Sequence, residues 1–406
     1  MAPRGSRSLT IDDGLGIFTL SISPIGGAIV RVGIPKEMLS GERRVAAVPE
    51  TVSKMVKSGM QVVVEAGAGE AAFISDREFE GAGATIAPSS QALLSEADIL
   101  LKVNKPTTDE IDQMKPGAIL ISFLQPFASP EIIRKLAERK ISALSMEMVP
   151  RITRAQRMDA LSTMSTVAGY KVVLLAANAC GRFFPMLSTA AGTIQPAKVI
   201  IIGAGVAGLQ AIATAKRLGA VVTAFDVRPA AGEQVKSLGA EFVSLEVPHE
   251  QAEDVGGYAK ELSQEFYKKE QELIRKHSKD ADVIISTALI PGKRAPILIT
   301  EDMVKEMKPG SVIVDMAVEQ GGNCTLSESG KEVVKHRVTI IGLLNIPSTM
   351  PVHASVLYAR NILAFLNLIS PDGKSAKIDL SDDIIKGSLI THSGQIVHPA
   401  IKEALK

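Results

Sequence analysis

Residues 199–208 read VIIIGAGVAG. A run of β-branched residues is followed by glycines at 203, 205 and 208, and then by the helix-type stretch LQAIATAKRLGA. This G-x-G-x-x-G pattern between a strand and a helix admits few folds. Gly203 permits the tight turn and Gly205 lets the backbone approach a pyrophosphate. Gly208 lets the helix pack on the strand with its first amides facing the anion. The next strand-type run, VVTAFD, ends at Asp226, 18 residues after Gly208. Asp226 is placed to accept hydrogen bonds from ribose hydroxyls and to repel a 2′-phosphate, which favours NAD over NADP. Arg228 opposes that preference, since a guanidinium there could neutralise a phosphate. A glycine-rich turn with no ligand leaves the acid at the strand end unexplained.

The rest of the chain repeats the same grammar. From Ile29 to about Met146, short Val/Ile/Leu-rich runs (IVRVGIP, QVVVEAG, DILLKV, AILISFL) alternate with helix-type stretches (PETVSKMVKSG, PEIIRKLAERK). A second series starts at AKVIIIGAG and runs through AVVTAFD, ADVIIST, GSVIVDMA and HRVTIIG. The alternation predicts an α/β fold: two Rossmann-like, doubly wound parallel-sheet domains separated by a cleft. A chain of 406 residues, 46% of them hydrophobic, can bury two cores. The apolar segment 164–190 is expected to be helical and to link the units. The run VLYARNILAFLNLI is expected to return to the first unit. The expected division is 29–163 with 345–406 as a discontinuous first domain, and 164–344 as the dinucleotide-binding domain. Residues 1–28 read as a disordered or poorly defined extension without a clean signal-peptide pattern. Arg4 and Arg7 precede an apolar patch there, but Asp12, Asp13 and scattered glycines interrupt it.

Charge excludes some functions. Forty-five basic and 44 acidic residues leave a net charge of +1, which argues against nucleic acid or an anionic membrane as partner. The longest uncharged run, residues 199–215, is interrupted by glycines and polarised by Gln210, so it reads as strand, turn and helix. No transmembrane helix is expected. Cys180 and Cys324 fit no metal spacing and read as buried small side chains in a reducing compartment, and no metal site is expected. His249, His277, His336, His353, His392 and His398 stand in no recognisable catalytic context and read as surface or capping residues. Segment 252–282 is densely charged and reads as a solvated helix face. Gly256-Gly257 before Tyr258 leave a hinged loop over about 252–264 as the alternative.

One polar stretch, PRITRAQRMDALSTMS at 150–165, lies between two apolar runs. If 156–163 is helical, Gln156, Asp159 and either Ser162 or Thr163 share a face, with Ala155, Met158 and Leu161 towards the other side. That face offers an amide, a carboxylate and a hydroxyl to a ribose and a carboxamide, and Arg151 could reach a phosphate or the nicotinamide amide. The alternative is a solvated helix start. The stretch holds no good general acid near neutral pH, although reduction of a carbonyl would need one.

The segments RVGIPKE, GERRVAAVPE, VEAGAGE, PRITRAQRMDALS, GAGVAGLQAIATAKRLGA, TALIPGK, MKPGSVIVDMAVEQGGN and IVHPA, spread over residues 30–400, resemble the NAD-binding domain of proton-translocating nicotinamide nucleotide transhydrogenase. The resemblance implies that Arg151, Gln156, Asp159 and Ser162 hold the nicotinamide end of NADH. Gly203, Gly205, Val206, Gly208, Asp226, Arg228, Ala288 and Leu289 would bind the rest, and Tyr258 would close a mobile loop over it. It implies an NAD-binding subunit of a split enzyme that passes hydride to NADP on a partner NADP-binding domain. Membrane-embedded subunits would move the protons. The subunit would be a homodimer, cytoplasmic and peripheral on the inner face of the membrane. Alanine dehydrogenase is similar in fold and is the alternative. Its catalytic lysine and histidine correspond to Asn104 and Gln125 here, Glu319 stands where it has an aspartate, and its pocket arginine is kept as Arg44. A third reading is a non-catalytic NAD sensor. Transfer between two nicotinamides releases no substrate proton, which accounts for a polar stretch without an acid–base residue.

Overall fold

The computed structural model describes residues 29–245, 263–290 and 293–405. Two mostly parallel sheets form it. The first opens with β1 (Arg31–Ile34), β2 (Gln61–Glu65), β3 (Thr85–Ala87), β4 (Ile99–Leu101), β5 (Ile119–Ser122) and β6 (Ser142–Ser145). A small antiparallel hairpin follows, β7 (Leu187–Thr189) and β8 (Gly192–Ile194). The second sheet contains β9 (Lys198–Ile202), β10 (Val221–Phe225), β11 (Glu241–Val243), β12 (Val283–Ser286), β13 (Val312–Asp315), β14 (Lys331–Lys335) and β15 (Val338–Gly342). The chain then adds β16 (Leu389–His392) and β17 (Gln395–Ile396) to the first sheet. The N-terminal extension, 1–28, lies outside the described residues.

The strand orders are β3-β2-β1-β4-β5-β6-β16-β17 and β11-β10-β9-β12-β13-β15-β14. Within these two sheets, antiparallel pairing is confined to β6–β16, β16–β17 and β14–β15 among the described residues. Each sheet reverses its winding once, between β1 and β4 and between β9 and β12. Such switch points, at the carboxyl ends of the strands, are where doubly wound sheets leave a crevice for a ligand. The strands are nearly continuous apolar runs because helices cover both faces. Ile99–Leu101 and Val283–Ser286 are buried at every residue.

Helix Ala160–Ala179 ties the two cores together. Its first half, Ala160, Met164 and Val167, packs in the cluster under the first sheet. Its second half, Ala168, Val172, Val173 and Ala176, belongs to the cluster under the second. Helix Pro351–Ile369 returns to the first sheet, where Tyr358 is fully buried and donates to the Lys102 carbonyl at 2.7 Å. These two helices are long and apolar enough to span a bilayer by length and composition. Their buried residues belong to the cores just described, as core helices do. The expectation of helix across 164–190 needs correction. The helix stops at Ala179, and Gly181 and Pro185 lead into the β7–β8 hairpin. Proline cannot supply the amide that a continuing helix requires.

Candidate functional site

The glycine turn sits at the β9/β12 switch point. Gly203 has φ +92°, a left-handed conformation, and a Cβ there would lie 2.7 Å from Thr287 Oγ1. A Cβ on Gly208 would lie 1.8 Å from the Gly203 carbonyl oxygen, so only glycine lets helix Val206–Arg217 start against the turn. Gly205 is different: the nearest atom to a Cβ there is Arg228 Nη2 at 3.9 Å, so its face is open. The helix has no side-chain cap at Gly205. Its first amides are thus left for an anion, and the exposed Val206 borders them. Thr287 Oγ1 donates to the carbonyls of Ile202 and Gly203, at 3.2 and 3.0 Å, and fixes the turn from β12. Tight first and third glycines with an open second are what a pyrophosphate needs.

Asp226 follows β10 directly and is buried. One carboxylate oxygen accepts the Ala204 amide at 2.7 Å, inside the glycine turn. Arg228 holds the carboxylate on both oxygens, through Nε at 2.9 Å and Nη2 at 2.8 Å. The arginine that could have welcomed a phosphate is therefore paired with the acid that would repel it.

The polar stretch is two elements rather than one helix. A 3₁₀ helix, Thr153–Met158, ends at Asp159, which caps helix Ala160–Ala179 by accepting the Ser162 amide at 2.8 Å. The side chain of an aspartate bonds the amide three residues on more readily than it continues a helix, so the phase breaks there. Ala155 and Met158 are buried as expected, whereas Leu161 is exposed and faces away from the core. Arg151 and Gln156 are exposed, and Asp159 and Ser162 half-buried. Gly169, on the same helix, touches the glycine-turn helix so closely that a Cβ would lie 2.2 Å from the Ala207 carbonyl. Ser162 is seven residues from that contact, about 10 Å along the axis. One helix thus carries the polar stretch to the glycine turn.

Ala288 and Leu289 follow β12. The Ala288 carbonyl accepts Asn323 Nδ2 at 2.9 Å, and Asn323 also donates to the Pro296 carbonyl at 2.8 Å and accepts Ser286 Oγ at 2.5 Å. Asn323 is fully buried, its loop held by Asp315, which accepts the Asn323 and Cys324 amides. Asn323 fixes the Ala288 carbonyl, and the sequence alone does not single it out. Its one signal there is the EQGGN turn, where Gly321 and Gly322 both take positive φ. Tyr258, His249 and most of the expected hinged loop lie outside the described residues.

Arg44 acquires a definite role. Its Nε and Nη2 reach Glu42 at 2.8 and 2.6 Å, and Nη2 also donates to Asn345 Oδ1 at 3.0 Å. Burial pushes the Glu42 carboxyl up, but the hydrogen bonds and charge of Arg44, with Asn104 and Asn345, outweigh it and hold the pKa at about 2. Asn345 follows β15, so this buried pair latches the β1 loop of one sheet to the second. Asn104 donates to Glu42 at 2.8 Å. Gln125, in a left-handed backbone conformation, donates its backbone amide to Glu147 at 2.5 Å, and its side chain accepts Lys105 Nζ at 3.3 Å. Both side chains are amides engaged in structural contacts. Glu319 is exposed and accepts the Asn345 amide at 2.6 Å.

The cysteines and histidines form no catalytic arrangement among the described residues. Both cysteines are free and buried, and burial raises the Cys324 thiol to about 11. His336 pairs with Glu301 at the surface, His392 contacts Ser142, and His277 lies edge-on to Phe225. Among the described residues no group of three His, Cys, Asp or Glu could hold a metal.

Comparison with known proteins agrees with this fold. A family model described as alanine dehydrogenase/PNT, N-terminal domain, matches residues 33–168, and the corresponding C-terminal domain model matches 172–399. An NAD(P) transhydrogenase subunit alpha chain of Rhodospirillum rubrum is 51% identical over 379 residues, covering 92% of this chain and 99% of that protein. The crystal structure of transhydrogenase from Sinorhizobium meliloti superposes with a TM-score of 0.80 at 43% identity, covering 91% of this chain and 99% of that one. Alanine dehydrogenase of Mycolicibacterium smegmatis is more distant, 30% identical over 383 residues, covering 92% and 96%.

Proposed function

The chain belongs to the alanine dehydrogenase/PNT family, and on that premise we propose that it is the NAD(H)-holding subunit of a proton-translocating transhydrogenase. The observation that carries this reading is the state of the two acid–base positions. Asn104 is spent on Glu42, and the Gln125 side chain accepts from Lys105. Neither amide can move a proton, and amino-acid oxidation requires that one be moved. Bound NAD(H) would supply the hydride-carrying ring, exchanging with NADP on a partner domain.

The chain's own residues bind, orient and exclude water. The amides opening helix Val206–Arg217 and the open face of Gly205 receive the pyrophosphate, and Asp226 takes the adenosine ribose. Ala288 and Leu289 line the dinucleotide, kept in place by Asn323. Arg151, Gln156, Asp159 and Ser162 orient the nicotinamide end, and Tyr258 closes over it. Rate then comes from positioning in a site without water, which polar groups of this kind achieve without acid–base chemistry. The division into 29–163 with 345–406, and 164–344, gives each sheet its own unit. The subunit works as a homodimer at the cytoplasmic face of the membrane, docked on membrane-embedded subunits that carry the protons.

Two assays on the purified chain test the reading. NADH fluorescence should change on binding, and L-alanine with NAD should give no reduced nucleotide. Alanine-dependent NADH formation would establish the amino-acid dehydrogenase instead.

A further inference from the structure

Helix Gln264–Ser278 carries a buried acid that the site described above does not use. Tyr267, Glu270, Ile274 and His277 recur at three- and four-residue spacing and so share one face. That face is turned inward: Ile274 is fully buried in the second-sheet core, and the His277 ring packs edge-on against Phe225 at 5.3 Å. Phe225 is the residue before Asp226. Glu270 lies two turns back from His277, towards the helix start. The outer face is occupied by Arg275, which pairs with Glu306 at the surface.

Glu270 is 7% exposed, and among the described residues no donor or cation bonds its carboxyl. Burial, with the nearby charge of Asp226 added, raises it to about 7. The charged group beside it is Asp226, after β10, while Tyr267, one turn back, and His277, two turns on, share its helix face. A buried carboxyl set beside another carboxylate, with no donor or cation on it among the described residues, is costly unless it serves the ligand. A use follows from the Asp226–Arg228 pair. Because Arg228 neutralises Asp226, those two residues alone form a weak barrier to a 2′-phosphate. A second carboxylate adds a negative charge beside that neutralised pair.

We propose that Glu270 is a second acidic selector at the adenosine end of the dinucleotide site, whose carboxylate acts with Asp226 to bar a 2′-phosphate. The inference rests on the reading of Asp226 as the ribose-binding acid. The test is a titration of NADH and NADPH, each followed by its own fluorescence, at pH 8 where Glu270 is ionised, on the full chain and on E270Q and E270D. In E270Q, NADPH should bind about tenfold more tightly, the effect of removing one like charge near a doubly charged phosphate. NADH affinity should change by less than about threefold, and E270D should keep the wild-type preference. Glu270→Met supplies a second uncharged variant should E270Q fail to fold. An unchanged NADH-to-NADPH ratio in the uncharged variants, with NADH binding intact, overturns the role of Glu270 alone. Absence of NADH binding by the unaltered chain overturns the dinucleotide reading beneath it.

Discussion

Replacing Glu42 by glutamine removes the centre of the latch between the two sheets. The carboxylate accepts from Arg44 Nε, Nη2 and backbone amide, from the Arg43 amide, and from the side chains of Asn104 and Asn345, all at 2.6–3.0 Å. Glutamine keeps the shape but turns an NH₂ towards donors and leaves the Arg44 guanidinium, 5% exposed, without an opposite charge. Breaking a buried pair in this way costs about 3–5 kcal/mol. The pKa gives an independent figure. Glu42 is held at about 2, against an ordinary 4.5. A depressed carboxyl stabilises the fold above its unfolded pKa, and the gain is lost as pH falls through the folded one; here it amounts to about 3 kcal/mol at pH 7. Urea unfolding followed by circular dichroism should show E42Q less stable by this amount at pH 7. The gap should narrow by about 2 kcal/mol at pH 3, where the wild type has lost much of its advantage. A deficit below about 1 kcal/mol at pH 7, or one that stays constant between the two pH values, refutes the latch.

Three further substitutions probe other parts of the account. Gly208→Ala forces a Cβ against the Gly203 carbonyl, so NADH affinity should fall by more than about 2 kcal/mol while the circular dichroism spectrum persists. Asp159→Asn preserves the cap on the Ser162 amide and should leave the melting temperature within about 2 °C of wild type. The same variant should weaken NADH binding, measured by fluorescence, if the carboxylate orients the nucleotide. Glu270→Gln acts on stability through pH. A carboxyl raised to about 7 contributes stability that is full below about 4.5 and lost as pH rises through 7. The variant, which lacks that loss, should be more stable than wild type by up to about 3 kcal/mol at pH 8 and equal to it at pH 4, by urea unfolding.

The fold was legible because its signals are local and repeated. Each parallel strand is an apolar run, and the glycine turn at 203–208 fixes how β9 meets the next helix whatever the rest of the chain does. The polar stretch was legible in composition but not in phase: Asp159 as a cap breaks the helix that simple spacing extends through it, and so Leu161 falls outside the core. The β7–β8 hairpin was hidden in an apolar segment whose helical pattern ends only because of Gly181 and Pro185. Pairing over long separation was not legible at all. Glu42 next to Arg44 looks like one more charge in GERR until Asn345, some three hundred residues away, closes the network. Glu270 likewise disappears in a run of exposed charges, because its burial depends on how the inner face of its helix packs on the second sheet.

Hydride transfer between two proteins tests the central claim most directly. The purified chain would be mixed with a recombinant NADP-binding domain of a transhydrogenase, NADH and an oxidised NADP analogue, and the reduced analogue followed by absorbance. The account predicts transfer that requires both proteins and proceeds without L-alanine or any other oxidisable substrate. NADH bound by the chain but never oxidised in the presence of the partner would contradict it.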